Sequence, residues 1–345
     1  MNENGFRNKV TWFTFFFSVL VIWVHSYNAV LFLGYTHEAA VLDRLERLLG
    51  DGIGQIAVPG FFMISSLLFF RNFSMDQLKR KWKRRIQSVL VPYLLWNTIY
   101  YIGYVMGSRI PGLSQVIGKG EIPLDLPAIL AAVFFYQYNY VFWYLHQLIL
   151  LIVLAPLIYI AIKRVWTAIV FLGAVILGIF LGIDLLGLNL DALFYYSAAA
   201  AAAVHGRRLT ETNGNRRKIG LGMACLAVGL IIRRFDLPGN AIGEAAAATV
   251  IFRFLAPAAL WLMVPQEVLP APGNIAKNNF FLYAVHFALV RLINKTGALL
   301  LPSLWVIPLL FFLFMPAVLA IISWAFASLL KKSFPRLWRL LNGNR

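Results

Sequence analysis

Three of the five histidines in this chain lie inside strongly apolar stretches: His25 in IWVHSYN, His146 in FWYLHQL and His286 in FLYAVHF. An ionisable side chain at bilayer depth costs roughly 2.5–3.5 kcal/mol, so its presence there needs a reason. A neutral imidazole can be buried at lower cost than a carboxylate or ammonium group, and near neutral pH it can take a proton. The pattern therefore indicates either proton transfer within a membrane or hydrogen bonding between buried helices.

For His25, residue chemistry alone favours neither of these two roles. It can be the general base that takes a proton from an acceptor hydroxyl, with Asn28 or Ser26 orienting the imidazole or the acceptor. It can also be a hydrogen-bonded side chain that joins two helices. For His146 and His286 we expect a structural role or a place in the wall of the acceptor site. We expect no metal, because the histidines lack an H-E-x-x-H-like spacing.

Further polar groups interrupt apolar stretches. Arg253 either holds an anionic part of a substrate or pairs with Glu244 or Asp184 to brace the helices. Ser65 and Ser66 either pack one helix against another or line a channel beside a histidine. In both cases the sequence leaves the alternatives open, and we count these residues as candidate substrate contacts.

A dense basic segment, SMDQLKRKWKRRIQSVLVPY, is the other strong signal. Such a segment orients the neighbouring helix and contacts anionic lipid. Its density also suits a polyanion, since guanidinium groups bind phosphate in bidentate fashion. Lys83, Arg84 and Arg85 therefore predict a site for the phosphates of an acyl-CoA. No GxxxxGK[ST] or GxGxxG loop is present, which disfavours nucleotide hydrolysis and dinucleotide binding.

The elements that position these residues follow from composition. Of the 345 residues, 61% are hydrophobic and 13% charged, whereas a soluble domain carries about 25% charged residues. Apolar runs of about 20 residues, long enough to cross a bilayer, recur along the chain. The net charge of +17 is concentrated in blocks between these runs, which is typical of membrane topology and not of nucleic-acid binding. The sequence predicts an all-α, polytopic membrane bundle in a single domain, residues 1–345.

The positive-inside rule then predicts about ten membrane spans with both termini cytoplasmic. Segment 126–139 is apolar but does not fit as a further crossing, and we expect it to be re-entrant or interfacial. The predicted spans are 10–33, 54–70, 86–106, 140–162, 165–187, 191–205, 219–232, 242–264, 278–294 and 303–330.

Five segments in order along the chain resemble the acyltransferase-3 family of membrane acyltransferases. They are VLVIWVHS, VPGFFMISSLLFF, KRRIQSVLVPYLLWN, FWYLHQLILLIVLAPLIY and NFFLYAVHFAL. The resemblance implies a ten-helix bundle that takes an acyl group, usually acetyl, from cytoplasmic acyl-CoA. The group passes to hydroxyls of sugars or other envelope molecules on the far side. It implies acetyl-CoA or another acyl-CoA as donor substrate and no permanently bound cofactor.

The resemblance also assigns roles to individual residues. His25 matches the proposed catalytic histidine of the family, and Arg85 matches the first arginine of its R-x-x-R motif. Tyr283 and His286 match its late Y-x-x-H pattern, which we expect to contact substrate. Three positions depart from the family: Thr14 replaces a basic residue, Ser88 replaces the second arginine, and Ser66 replaces a glycine. The neighbouring Lys83 and Arg84 can supply the missing positive charge.

We therefore predict an O-acyltransferase of a bacterial-type inner membrane, whose partners are acyl-CoA, a hydroxyl-bearing envelope acceptor and the lipid bilayer. The alternatives are a transporter or flippase for an envelope precursor, and an inactive sensor or scaffold. Transporters often contain inverted repeats, and the sequence shows no such symmetry, which disfavours that alternative. The acceptor, the acyl chain length and the oligomeric state stay open.

Overall fold

The protein is described by a computed structural model that covers residues 3–212, 214–236 and 242–344. Both chain ends, which we predict to be cytoplasmic, lie outside these residues. Within them, the regular elements are helices, apart from an isolated β-bridge between Leu185 and Leu188. The all-α prediction is confirmed for the described part of the chain.

The α-helices of the described residues have these bounds: α1 Glu3–His25, α2 Ala29–Leu33, α3 His37–Gly50, α4 Ala57–Phe70, α5 Leu78–Arg85, α6 Val91–Ser108, α7 Leu113–Ile117, α8 Leu126–Phe135, α9 Trp143–Val153, α10 Ala155–Ile162, α11 Val165–Phe180, α12 Leu190–His205, α13 Arg207–Glu211, α14 Arg216–Ile232, α15 Ile242–Met263, α16 Asn274–Lys277, α17 Asn279–Leu300, α18 Val306–Ser333 and α19 Pro335–Leu341. A π-helix, Ile86–Leu90, joins α5 to α6.

Each of the ten predicted spans contains a helix. In the described residues, five helical stretches are long and apolar enough to cross a membrane, or six if the bent α9–α10 pair counts as one span. These stretches are Glu3–Leu33, His37–Phe70, Met75–Ser108, Gly243–Met263 and Val306–Ser333. Helix α8 and helix α11 are apolar but shorter. A multi-pass membrane protein is therefore established, while the count of ten and the orientation stay predictions.

Several predicted spans have different ends in the structure. The span predicted at 165–187 stops at Phe180, because Gly182, two residues later, takes a positive φ angle of 66° that ends the helix. Gly187, with a φ angle of 78°, lies in the connection that follows. The span predicted at 140–162 is bent by 63° between α9 and α10. Pro156 follows this bend, and it lacks the N–H that would continue the helical hydrogen-bond ladder.

The chain divides into two units, each discontinuous in sequence, which are described separately. The first consists of Met1–Val21, Ile53–Lys81 and Leu150–Lys277, and the second of Ile22–Gly52, Trp82–Ile149 and Asn278–Arg345. Because neither unit is a continuous stretch of chain, the single domain over 1–345 stays a prediction.

In the first unit, α4 packs on α12, α14 on α15, and α11 on both α12 and α15. Buried polar groups connect these helices. The Lys9 ammonium donates to the carbonyl oxygens of Trp261 and Val264, at 2.5 and 2.7 Å. Arg71 pairs with Glu3 at 2.7 Å and with the nearly buried Glu211 at 3.1 Å. Basic side chains with buried partners thus hold this unit together.

In the second unit, α17 packs on α18 and α2, and α6 packs on α7, α8 and α19. The indole of Trp96 in α6 donates to the Leu341 carbonyl at the end of α19, at 3.0 Å. The amphipathic helix α3 packs on α2. This arrangement surrounds the residues that follow His25, where the candidate site lies.

Candidate active site

His25 is the last residue of α1, and its side chain is half-buried. Its Nδ1 lies 3.0 Å from the Tyr140 hydroxyl oxygen. The rings of Tyr140 and Phe287 stand edge-on to the imidazole, with centroids at 5.7 and 5.4 Å. In the tautomer protonated at Nδ1, the imidazole donates to the Tyr140 oxygen and Nε2 keeps its lone pair. A hydroxyl that reaches Nε2 can then lose its proton to His25.

The first helix breaks directly after His25. The Ser26 hydroxyl donates back to the Ile22 carbonyl at 2.6 Å, a contact that bends helices. The backbone N–H groups of Asn28 and Ala29 donate to the Glu46 carboxylate, at 3.1 and 3.3 Å. Glu46 lies in α3 and is completely buried. A carboxylate at the start of α2 accepts from N–H groups that have no partner within the helix. It is also stabilised there by the positive end of the helix dipole.

Two asparagines connect the same break to α17. The Asn28 amide donates to the Asn294 side-chain oxygen at 3.3 Å, and the Asn294 amide donates to the Ser26 carbonyl at 3.3 Å. Both side chains are buried. The Asn28 side chain therefore binds Asn294 and holds the backbone that follows His25. Its contact with substrate stays a prediction. Glu46, Asn28 and Asn294 together fix the direction in which the chain leaves His25.

His286 lies beside His25, with ring centroids 5.4 Å apart. Its side chain is 1% exposed, and Nδ1 lies 2.5 Å from the Tyr283 carbonyl oxygen. A carbonyl oxygen only accepts, so Nδ1 carries the proton and Nε2 is an acceptor in the neutral imidazole. Among the described residues this buried Nε2 has no hydrogen-bond partner. It is thus a second acceptor nitrogen beside His25, enclosed by the protein.

Tyr283, the other residue of the Y-x-x-H pattern, is buried and supports this arrangement. Its hydroxyl donates to the Val141 carbonyl at 2.6 Å, immediately after Tyr140 in the chain. Its ring stacks on Phe142 at 5.6 Å with an interplanar angle of 10°. Tyr283 thereby connects the helix of His286 to the turn that carries Tyr140. Its hydroxyl is engaged by the backbone, so any contact with substrate would come from the ring.

His146 has other neighbours. It lies in α9, half-buried, with the Tyr136 and Tyr93 rings at 5.2 and 6.2 Å. Its buried Nδ1 has no hydrogen-bond partner in the described part of the chain. The structure thus gives His146 an aromatic setting of its own, and its role in lining the acceptor site stays a prediction.

The basic residues predicted to bind acyl-CoA end α5. Lys83 and Arg84 are exposed, and Arg85 is half-buried. They are followed by the π-helix Ile86–Leu90, an irregularity that occurs frequently at functional sites. A Cβ added to Gly343 in the C-terminal tail would come within 2.7 Å of the Ser88 carbonyl oxygen, so the tail lies directly on this π-helix.

The remaining predicted residues belong to the first unit. The Ser66 hydroxyl donates to the Tyr196 carbonyl at 2.5 Å, so it joins α4 to α12, and the adjacent Ser65 is buried as well. Arg253 in α15 forms no ion pair among the described residues, so the predicted pairs with Glu244 and Asp184 are not observed. It interacts electrostatically with Asp191. A helix-packing contact is therefore observed for Ser66, and a substrate contact stays a prediction for all three residues.

Sequence reasoning misses Tyr140, Glu46 and Asn294. Two of them had a signal. Glu46 shares one face of α3 with the buried Ala39 and Leu42, so helical periodicity marks it as an inward carboxylate. Asn294 follows His286 by eight residues, which puts both on one face of α17. Tyr140 begins a short 3₁₀ turn before α9, and no periodic pattern identifies it.

The site contains two imidazoles and a phenol, and no group of three or more His, Cys, Asp or Glu side chains in the described residues is placed to hold a metal ion. Two imidazoles in an apolar and aromatic setting suit proton transfer from a hydroxyl when each keeps one unprotonated nitrogen. An apolar setting strengthens the interactions of charge that develops during such a transfer.

These features define a multi-pass membrane protein with two histidines side by side, and comparison with known families gives the reaction class. The family described as an acyltransferase domain, acyltransferase-3, matches residues 9–327. The chain belongs to this family and is an O-acyltransferase-type enzyme.

Among curated proteins, the chain is similar to the succinoglycan biosynthesis protein ExoH of Rhizobium meliloti (strain 1021). The two are 26% identical over 349 residues, which cover 94% of this chain and 89% of that protein. No solved structure matches the chain significantly.

Proposed function

We propose that the protein transfers an acyl group, acetyl in the simplest case, from cytoplasmic acyl-CoA to a hydroxyl of an envelope polysaccharide or its precursor. The observation that carries the proposal is His25, whose Nδ1 is held by Tyr140 while Nε2 is left for the acceptor. Membership of the acyltransferase-3 family supports the reaction class. The similarity to a succinoglycan biosynthesis protein supports a polysaccharide acceptor.

In the proposed reaction, His25 Nε2 takes the proton of the acceptor hydroxyl as that oxygen attacks the thioester carbonyl carbon. The new C–O bond forms, and the C–S bond then breaks with its electron pair on the CoA sulfur. The imidazolium returns the proton to this thiolate, so the products are an O-acyl ester and the free thiol of CoA. In this scheme Nδ1 carries a proton and donates a hydrogen bond to the Tyr140 oxygen 3.0 Å away, which keeps Nε2 as the acceptor nitrogen.

His286 has a binding role in this scheme. Its Nε2 is buried, so the side chains that cover it must move as the acceptor enters. Nε2 then accepts a hydrogen bond from a second hydroxyl of the acceptor, which orients the reacting hydroxyl toward His25. The 5.4 Å between the two rings suits neighbouring hydroxyls on one sugar. Orientation of this kind accounts for a large part of the rate enhancement in bimolecular transfer.

The donor binds at the end of α5. Lys83 and Arg84 are exposed there and Arg85 is half-buried, so their charges can contact the phosphates of CoA. This placement requires the α5 end to be cytoplasmic. We infer ten membrane spans in a bacterial-type inner membrane with both termini cytoplasmic, supported by a helix within each of the ten predicted segments. The acyl-CoA is a substrate, and no permanently bound cofactor is part of the proposal.

The test is acyl transfer by the full-length protein in liposomes, given labelled acetyl-CoA and a panel of envelope polysaccharides and their lipid-linked precursors. Wild type is expected to label at least one acceptor. His25→Ala is expected to be slower by about 10²–10⁴-fold, the usual contribution of a general base. His37→Ala, an exposed histidine of α3, is the matched control and should retain full activity.

Two results would contradict the proposal. One is the absence of transfer by wild type across the whole panel. The other is movement of an envelope precursor across the bilayer without acyl-CoA, which would favour a transporter or flippase.

A further inference from the structure

A groove in the second unit runs between α6 and α17 and is closed at one side by α7. Its volume is about 420 Å³, within the range of about 300–1,000 Å³ for ligand pockets. Its walls are apolar, formed largely by Trp96, Ile99, Leu113, Ile117, Leu289 and Leu292. Ile99 and Leu292 are 42% and 48% exposed, so the groove opens to the side of the helices.

The floor of the groove is open at Gly103. A Cβ added there would meet nothing within 4 Å, so the absent side chain leaves usable space between the two helices. The shape suits an extended hydrocarbon chain that lies along the helices, since an apolar, shallow and laterally open cavity offers few polar contacts to a compact soluble ligand.

One end of the groove is cationic. Arg291 and Lys295 lie four residues apart on α17 and both line the groove. Like charges at this spacing repel each other on a helix. Arg291 forms no ion pair within the described residues; its guanidinium lies 3.4 Å from the Tyr104 hydroxyl, which also lines the groove. Two cations and a phenol at the end of the apolar groove are complementary to the phosphate headgroup of a lipid.

The cationic end is adjacent to the candidate active site. The Arg291 guanidinium carbon lies 5.6 Å from the centre of the Phe287 ring, and that ring lies 5.4 Å from the His25 imidazole. A phosphate bound at Arg291 is therefore one aromatic ring away from the imidazole. A hydroxyl carried close to that phosphate can reach His25.

We propose that this groove binds the lipid carrier of a lipid-linked acceptor, with the chain between α6 and α17 and the phosphate on Arg291 and Lys295. This inference rests on the proposed function, in which the acceptor hydroxyl meets His25. It names the acceptor class: a glycan attached through phosphate to a long-chain lipid. In the proposed topology, Arg291 lies toward the outer end of its span, at the depth of outer-leaflet headgroups.

The first experiment measures binding without catalysis. Native mass spectrometry of the full-length protein in detergent would compare a long-chain polyprenyl phosphate, the polyprenol without phosphate, and phosphatidylglycerol as competitor. Wild type should prefer the phosphate over the alcohol by about tenfold or more, as expected for charge-assisted hydrogen bonds. Phosphatidylglycerol should compete weakly.

Variants then localise the binding. Gly103→Phe fills the groove and Arg291→Gln removes a phosphate contact, so each should weaken polyprenyl phosphate binding by about tenfold. Gly173→Phe in α11 is the matched control, because its added side chain also starts in open space, and it should bind as wild type does. His25→Ala should bind normally as well, which separates the groove from the chemistry.

Two outcomes would overturn the inference: unchanged binding in both Gly103→Phe and Arg291→Gln, or displacement of the polyprenyl phosphate by equimolar phosphatidylglycerol, which would make the groove a phospholipid site only. Acyl transfer separates the two proposals. Full transfer to lipid-linked acceptors by folded Gly103→Phe would refute the groove and leave the proposed function intact. Normal lipid binding with full transfer by His25→Ala would refute the histidine mechanism and leave the groove intact.

Discussion

Replacing Glu46 tests whether the break after His25 is held by a buried carboxylate. Glu46→Ala removes the acceptor of two backbone N–H groups, those of Asn28 and Ala29. Each buried donor left without a partner costs about 1–3 kcal/mol, so the free energy of unfolding should fall by about 2–6 kcal/mol. Glu46→Gln keeps one acceptor oxygen and should cost less, about 1–2 kcal/mol.

The same change should slow the reaction through His25. Without the carboxylate the chain leaves α1 in a less defined direction, and the imidazole loses its fixed position relative to Tyr140. A displacement near 1 Å can reduce the rate by about 10²-fold. We expect kcat for Glu46→Ala to fall by about 10–100-fold while KM for acyl-CoA stays unchanged, because the basic residues of α5 are untouched.

The assay is steady-state acyl transfer per folded protein, at a temperature well below the unfolding midpoint of the variant, together with thermal unfolding. Glu38→Ala is the matched control, since Glu38 lies on the same helix but is exposed. The reasoning is refuted if Glu46→Ala unfolds at the wild-type midpoint with wild-type kcat. A proportional change in KM for acyl-CoA would also refute it, because that would indicate a general loss of structure.

Three further predictions concern separate contacts. Tyr140→Phe removes the hydroxyl that contacts Nδ1 of His25, and it should lower kcat by about 2–10-fold without changing KM for acyl-CoA. An unchanged kcat would show that this contact does not hold the imidazole. Arg71→Gln should destabilise the protein by about 1–3 kcal/mol, because the nearly buried Glu211 loses one cation and keeps the ion pair with Arg207 at 3.2 Å. Arg7→Gln, whose partner Glu3 is exposed, should change stability by less than about 1 kcal/mol. The hydrogen bond to Glu3 raises the pKa of the Arg71 guanidinium, so this difference in unfolding midpoint should persist at alkaline pH. The double variant Lys83→Gln, Arg84→Gln should raise KM for acyl-CoA and make KM less dependent on salt, with kcat retained. The exposed pair Lys163 and Arg164, changed to Gln in the same way, is the control. An equal effect in the control would show that only the total charge of the protein matters.

The helices of this protein are largely predictable from its sequence, because apolar runs of membrane length dominate the composition. The ends are less predictable. The early stop of α11 depends on Gly182, whose positive φ angle no hydropathy average detects. The break after His25 depends on Glu46, a residue from another helix, so only tertiary packing reveals it.

The candidate site was predictable in part. Apolar context alone singles out His25 and His286, and the structure places their rings side by side. Tyr140 is not predictable, since it comes from a turn more than one hundred positions away and follows no periodic pattern. Glu46 shows how a charged residue can be buried: it lies on the same face of α3 as Ala39 and Leu42, and its carboxylate accepts from two backbone N–H groups.

The central claim, acyl transfer through His25 from one side of a membrane to the other, is tested most directly in sealed proteoliposomes. Labelled acyl-CoA is supplied on one side and the hydroxyl acceptor is enclosed on the other, with wild type, His25→Ala and His37→Ala compared. The account predicts labelled acceptor for wild type and His37→Ala, and a rate lower by about 10²-fold or more for folded His25→Ala. Equal labelling by His25→Ala, or labelling only when donor and acceptor share one side, would contradict it.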